Sequence, residues 1–361
     1  MSYLLQIATA VPENCFSQDL LAEFYSNTTD DASLKRKIKI VAAKSGIKSR
    51  YSVLKDFDKN PSEYQFFNPS RDLLPEPSLT RRMAIYKEQA TALSLKAIAG
   101  LNDFDTIKSS FTHLITVTCT GLFAPGLDIE LIRALSLNPN IHRSSVNFMG
   151  CNAAVLALKQ ADAICNSFPN AKVLVVCTEL CTIHFQKKYN DDYLLSNLLF
   201  ADGAAAVILG SRPADSHGVS VKLNDFHSSI LHNGYSDMAW QLSETGFIMN
   251  LSSYVPSLIK ENIKEMLDAI SVAPEQFKYW AVHPGGKKIL DDFAKAMGLQ
   301  DDKLANAYDV LQKYGNMSSP TVLFVLKQII DRATPQDRHE KIMLAAFGPG
   351  ISIETLQLQY V

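Results

Sequence analysis

Apolar positions along the chain fall into short continuous runs, separated by longer stretches with helical spacing. Thr112–Thr118 (THLITVT) and Lys172–Cys177 (KVLVVC) are apolar at nearly every position, the pattern of strands covered on both faces. Ala204–Leu209, Tyr279–Val282 and Ile342–Ala346 repeat it, and the first ten residues read as an opening strand that ends before Pro12. Helical patterns lie between these runs, as in Asn152–Asn166 and Pro320–Asp331. Such alternation predicts an α/β protein with a largely parallel or mixed core sheet. A polar, turn-rich segment, Pro213–Gly218 (PADSHG), divides the chain unequally into 1–213 and 214–361. Both parts repeat a strand–turn–helix theme, which hints at an old duplication.

Composition narrows the class. At 361 residues the chain is long enough for about two domains. A hydrophobic fraction of 47% and a charged fraction of 20% exclude a disordered chain. The net charge of −2 gives no basic footprint for nucleic acid. No run of about 18 apolar residues is present, so no membrane span is expected. The cysteines are Cys15, Cys119, Cys151, Cys165, Cys177 and Cys181. No basic residue precedes the first apolar stretch, so it does not read as a secretory leader. Reduced thiols in a cytoplasmic protein are the expectation. One charge run stands out, Lys35–Lys39 with Lys44, Lys48 and Arg50 close behind. It reads either as a solvated helix face or as a patch for a phosphorylated ligand.

Glycine is scarce, yet Gly121, Gly126, Gly150, Gly203, Gly285, Gly286, Gly315, Gly348 and Gly350 all stand at strand ends or next to them, where α/β sheets build sites. Three side chains there carry chemistry. Cys151 follows a strand-like run and opens a helix, whose dipole favours a thiolate. The bland alternative is a buried structural cysteine. His283 ends an apolar strand before a Gly-Gly turn, a loop position that favours function over a satisfied core histidine. Asn316 lies between a polar turn and an apolar helix, where asparagine also serves as a cap. Together a thiol, an imidazole and an amide donor can activate a nucleophile and bind an oxyanion. His217, His227, His232 and His339 read as surface, while His113, His142 and His184 stay open. No Cys or His pair has zinc-finger spacing, so no metal is expected.

The residues around these positions resemble the type III polyketide synthases, the chalcone synthase-like family of the thiolase superfamily. The resemblance rests on Gly-Cys-Asn at Cys151, Leu-Phe-Ala-Asp-Gly-Ala-Ala from Leu199, His-Pro-Gly-Gly from His283, Tyr-Gly-Asn-Met-Ser-Ser from Tyr314 and Phe-Gly-Pro-Gly from Phe347. It runs from about Leu4 to the end and is weakest over Arg212–Ser243. It implies a five-layered αβαβα thiolase fold in two duplicated halves, the first carrying the nucleophile and the second the histidine and asparagine. It also implies a homodimer with no cofactor beyond coenzyme A thioester substrates. Cys151 resembles the residue that takes the acyl group, and His283 and Asn316 those that polarise malonyl-CoA for decarboxylation. Phe200 matches a gatekeeper, and Met249 stands where a second, usually phenylalanine, gatekeeper is found. Lys37 and Lys44 match lysines on CoA phosphates, with Ile40 in place of an expected arginine. Gly285, Gly286 and Lys288 match the pantetheine path, and Gly348, Pro349 and Gly350 a loop on the cyclisation side.

Product choice is expected to follow cavity shape. Thr120, Ala124 and Cys181 resemble the small cavity residues of bacterial members that admit a long fatty acyl starter, pointing to an alkylpyrone or alkylresorcinol. Cys119 is a further small wall residue, seen also in tetrahydroxynaphthalene-forming members. Trp240 stands in place of a small glycine on the cyclisation wall. Ala124 also lies where relatives insert a residue into the partner's cavity. A Cys–His–Asn hydrolase, a non-catalytic thiolase-fold scaffold and a single-condensation ketoacyl synthase III are the competing readings.

Overall fold

The computed structural model describes residues 1–213, 220–231, 234–252, 254–269, 273–300 and 302–361. In chain order the strands are β1 (Ser2–Ala10), β2 (Asn14–Ser17), β3 (Ser49–Ser52), β4 (His113–Thr118), β5 (His142–Asn147), β6 (Lys172–Leu180) and β7 (Asp202–Gly210). They continue with β8 (Val221–Ile230), β9 (Met238–Ser243), β10 (Gly246–Leu251), β11 (Tyr279–Val282), β12 (Lys341–Gly348) and β13 (Ser352–Tyr360). The apolar runs of the sequence all become strands of one sheet, ordered β11-β12-β13-β8-β1-β7-β6-β4-β5. The pairs β2–β3 and β9–β10 stand apart.

The sheet shows the duplication directly. From its middle outward, β1-β7-β6-β4 and β8-β13-β12-β11 have the same order and the same senses, two antiparallel pairings and then a parallel one. The halves join where Ser2–Leu4 pairs antiparallel with Val221–Leu223. The first half carries β5 as an additional, parallel edge strand.

Two apolar helices, Ala153–Ser167 and Thr321–Asp331, touch strands of both halves and form the layer between them. Their buried alanines, valines and leucines merge with the second half into one core. Helix Leu79–Ile98 covers β1, β6 and β7 from the other side, over a second core. Each buried large apolar side chain there contributes about 2 kcal/mol. This layering puts the N-termini of the two central helices beside the ends of β5, β11 and β12, where the candidate residues lie.

The turn-rich junction around Pro213–Gly218 falls largely outside the described residues, as do His217 and His232. Among the described residues no helix is long and apolar enough to cross a membrane.

Candidate active site

The turn before the first central helix holds Cys151. The chain leaves β5 through Phe148 and Gly150, both at positive φ (63° and 87°). A Cβ at Gly150 would collide with the Pro349 ring, so only glycine fits this crossing. The neighbouring Asn152 donates from Nδ2 to Ser352 Oγ at 2.8 Å. The Gly348–Gly350 loop is thereby clamped against the Cys151 turn.

His283 extends β11, its backbone N–H donating to Ala345 O at 2.8 Å. Its side chain is buried, and neither Nδ1 nor Nε2 has a protein partner. Buried imidazoles are ordinarily satisfied, so an unpartnered ring inside a cavity is a group kept available. Asn316 is held on all sides but one. Its N–H donates to Leu199 O (3.0 Å), and its carbonyl accepts from Ala201 N–H (2.9 Å). Its Oδ1 accepts from Ser318 N–H at 2.8 Å and from Thr321 Oγ1 at 3.4 Å. Nδ2 therefore points the other way, toward the Cys151 thiol, with a further long contact, 3.5 Å, to Gly285 O. It is a preorganised donor with capacity to spare.

All three side chains line one cavity of about 1360 Å³, counting its open mouth. Cys119, Thr120, Cys181, Phe200, Trp240, Met249, Gly285 and Pro349 line it with them. Trp240 stacks on Phe247 (4.8 Å between centroids), which stacks on His184 (4.1 Å), making a flat wall. The same cavity continues into an apolar arm walled by Phe16, Leu21, Phe24, Phe57, Phe185 and Tyr193. Edge-to-face contacts such as Phe24–Phe57 at 5.0 Å hold those rings.

Ala124 does not join them. It is exposed and lies outside the lining of its own chain's cavity. Gly286, Lys288, Lys37, Lys44, Gly348 and Gly350 also lie outside the lining. Lys37 pairs with Asp191, at the start of the helix whose Ser196 and Asn197 line the cavity. Gly46, two residues beyond Lys44, faces the Lys287 side chain. Lys288 pairs with Asp292 at 2.7 Å. Lys37 thus stands against an element that lines the cavity.

The N-terminal domain of chalcone and stilbene synthases matches residues 1–213, and the C-terminal domain matches residues 223–361. The chain belongs to the chalcone and stilbene synthase family. Among solved structures it is similar to PKS-I from the brown alga Ectocarpus siliculosus, at 26% identity and a TM-score of 0.89, with 100% of this chain and 98% of that one covered. It is also similar to the C-terminal type III polyketide synthase domain of Steely1, a type I/III hybrid from Dictyostelium. That match has 28% identity and a TM-score of 0.90, covering 100% of this chain and 99% of that one. The chain is therefore a polyketide synthase of the type III family, an acyltransferase working on CoA thioesters within a thiolase-like fold.

Burial governs the electrostatics of this synthase cavity. It pushes the Cys151 thiol up to about 11, against hydrogen bonds from Ser318 and Asn316 that favour thiolate. Burial likewise pulls His283 down to about 3. Each shift describes one charge formed alone. Proton transfer from thiol to imidazole within the same cavity forms both charges together, and their attraction offsets the desolvation. His184, the other cavity histidine, is fixed neutral. Its Nε2–H donates to Thr120 O (2.8 Å), its Nδ1 accepts from Phe247 N–H (3.3 Å), and burial lowers it to about 3.

Several site residues carry little sequence signal. Glu179 ends the apolar run of β6, fully buried. It accepts from Cys119 N–H (2.8 Å), Thr120 Oγ1 (2.8 Å), Thr118 Oγ1 (3.3 Å) and Ser319 Oγ (2.6 Å), and burial still raises it to about 7. Its one sequence clue is a carboxylate inside an apolar strand. Arg50 follows the basic run closely in the sequence but does not share a solvated or phosphate-facing position. Instead it is buried, donating to Gln18 Oε1 (2.9 Å) and to the carbonyl of Phe200 (2.5 Å), with Asp202 as its electrostatic partner. It supports the gatekeeper rather than a phosphate. Among the described residues no group of three His, Cys, Asp or Glu side chains is arranged to hold a metal.

Proposed function

We propose that this synthase loads a fatty acyl starter onto Cys151, extends it with malonyl-CoA and closes the chain to a pyrone or resorcinol-type product. The reading rests on one observation: a thiol, an unpartnered buried imidazole and a held amide donor face one cavity. His283 takes the thiol proton, and the thiolate attacks the starter's carbonyl, expelling CoA. The imidazolium returns the proton to the departing CoA thiolate. His283 and Asn316 Nδ2 then donate to the thioester oxygen of malonyl-CoA. As CO2 leaves, the electron pair of the broken C–C bond forms an enolate that these donors stabilise, an effect commonly worth about 3 kcal/mol. The enolate carbon attacks the acyl-Cys151 carbonyl, displacing the thiolate, and the freed thiolate then takes the extended chain back from its CoA thioester, expelling CoA, for the next cycle. An enol oxygen attacking the last thioester gives a pyrone, and a carbon nucleophile gives the carbocycle.

Phe200 and Met249 serve as the gate between the CoA entrance and the chamber, Met249 the softer half. Lys37, Lys44 and Lys288 meet CoA phosphates at the mouth, and the pantetheine arm passes Gly285 and Gly286. The apolar arm supports an alkyl starter, because Phe16, Leu21, Phe24, Phe57 and Phe185 offer no partner to a polar chain. No metal or other cofactor takes part. A homodimer is supported by β5, whose outer edge is unpaired, and by exposed Leu122 and Met149 nearby. Ala124 would face that partner. Six free thiols suit a reducing cytoplasm.

The test is incubation of octanoyl- to palmitoyl-CoA with malonyl-CoA, followed by mass analysis. Alkylpyrones or alkylresorcinols are expected. Turnover of malonyl-CoA alone to a tetrahydroxynaphthalene or phloroglucinol-type product would refute the fatty starter. A single condensation transferred to a carrier would place the enzyme with ketoacyl synthase III.

A further inference from the structure

Helix Ala32–Lys44 carries Lys35, Arg36, Lys37, Lys39 and Lys44 and no acidic residue. Its N-cap Asp31 is engaged by Ser33 and Leu34 N–H. At 100° per residue these cations divide into two faces. Lys37 and Lys44 share one side, and Lys37 there pairs with Asp191, on the helix whose Ser196 and Asn197 line the cavity. Lys35, Arg36 and Lys39 point elsewhere. With Ala32, Ile40 and Ala43 they line a shallow surface groove, opposite the buried residues Ile38 and Ala42.

This outer face has no explanation in a CoA tunnel. Lys35–Lys39 and Arg36–Lys39 are like-charge neighbours at helical spacing, which weakens a helix. Lys35 and Arg36 also stand near the helix N-terminus, where the dipole disfavours cations. None of the three has an ion pair among the described residues. Ile40, 43% accessible, flanks them on the side toward Lys37 and offers nothing to a phosphate. An acidic protein helix with an apolar residue among its carboxylates complements both features.

The thioester chemistry of the site identifies such a protein. A carrier protein presents its acyl group on the same pantetheine arm as CoA, and replaces the nucleotide with a folded, acidic surface. We propose that the outer face of helix Ala32–Lys44 docks an acidic acyl carrier protein, so that a starter reaches Cys151 from a carrier as well as from CoA. This rests on the synthase reading above.

The test measures binding of fluorescently labelled holo acyl carrier protein to the full chain, and KM for octanoyl-carrier protein and octanoyl-CoA. The triple variant K35E/R36E/K39E, and separately the uncharged K35A/R36A/K39A, are compared with wild type. Binding that weakens at least tenfold in the variants and with added salt, at an octanoyl-CoA KM unchanged within twofold, is the expected result. That unchanged KM also reports a folded enzyme. The proposal is overturned if wild type does not bind the carrier protein, or if the variants raise both KM values together, as a CoA-phosphate site would. It is equally overturned if they lose binding only to vesicles of anionic phospholipid. Carrier binding without extension of either thioester by malonyl-CoA would refute the synthase reading while leaving the docking face established.

Discussion

Glu179 makes the electrostatics of the chamber measurable. Its carboxylate accepts four hydrogen bonds, yet burial raises it from an ordinary 4.5 to about 7. The folded state therefore holds this proton more tightly than the unfolded chain. Between about pH 4.5 and pH 7 the unfolded chain releases it first, so stability falls as pH rises. A shift of about 2.5 units at 1.36 kcal/mol each amounts to roughly 3 kcal/mol by pH 8. Glu179→Gln removes the titration while keeping an acceptor oxygen for Cys119 N–H and an amide that Ser319 Oγ can accept by turning. Urea denaturation of both proteins at pH 5, 6.5 and 8 reads the effect as a difference, so other titrating groups cancel. The two stabilities should lie within about 1 kcal/mol at pH 5, with the variant more stable by about 2–3 kcal/mol at pH 8. A difference independent of pH, or a wild type that gains on the variant as pH rises, would refute the reasoning.

Other perturbations test the site residue by residue. Asn316→Ala should lower kcat by about 10²–10³ with little change in KM for the starter, as loss of one oxyanion donor does; steady-state kinetics checks it. In wild type, Cys151 alkylation by iodoacetamide should rise at a pH at least about two units lower than in His283→Gln, since the imidazole stabilises the thiolate. Coincident pH profiles would show that the two groups act separately. Arg50→Met leaves Asp202 buried without its cation and the Phe200 carbonyl without its donor. It should cost about 3 kcal/mol, read as a lowered unfolding midpoint. Leu21→Trp should narrow the apolar arm and shift starter preference toward shorter chains in a competition of acyl-CoAs, while a retained preference would place the chain elsewhere.

What the sequence disclosed follows from which residues carry local signals. The strands β4, β6, β7, β11 and β12 are covered on both faces, so their apolar runs were plain. β8 mixes buried and exposed positions, and β13 carries buried polar residues, Glu354 and Thr355, among its apolar ones, so neither forms a continuous apolar run. Cys151, His283 and Asn316 each sit beside a glycine or turn at an element's end, which marked them. Glu179 and Arg50 act through burial, and burial depends on what the fold stacks over them. The apolar arm gathers Phe16, Leu21 and Phe24 from one stretch and Phe57 and Phe185 from two others, so no single stretch of chain announces it. Ala124, whose place at a cavity came from resemblance alone, is exposed and outside the lining of its own chain's cavity.

The central claim is that Cys151 carries a chain built from decarboxylated malonyl units. Incubation with an acyl-CoA and ¹³C-labelled malonyl-CoA, followed by mass analysis of the Cys151 peptide and the released products, tests it directly. The account predicts a starter on Cys151, products heavier by successive labelled two-carbon units, and none of these with Cys151→Ala. Release of the free starter acid with no labelled carbon, or extension that survives Cys151→Ala, would contradict it.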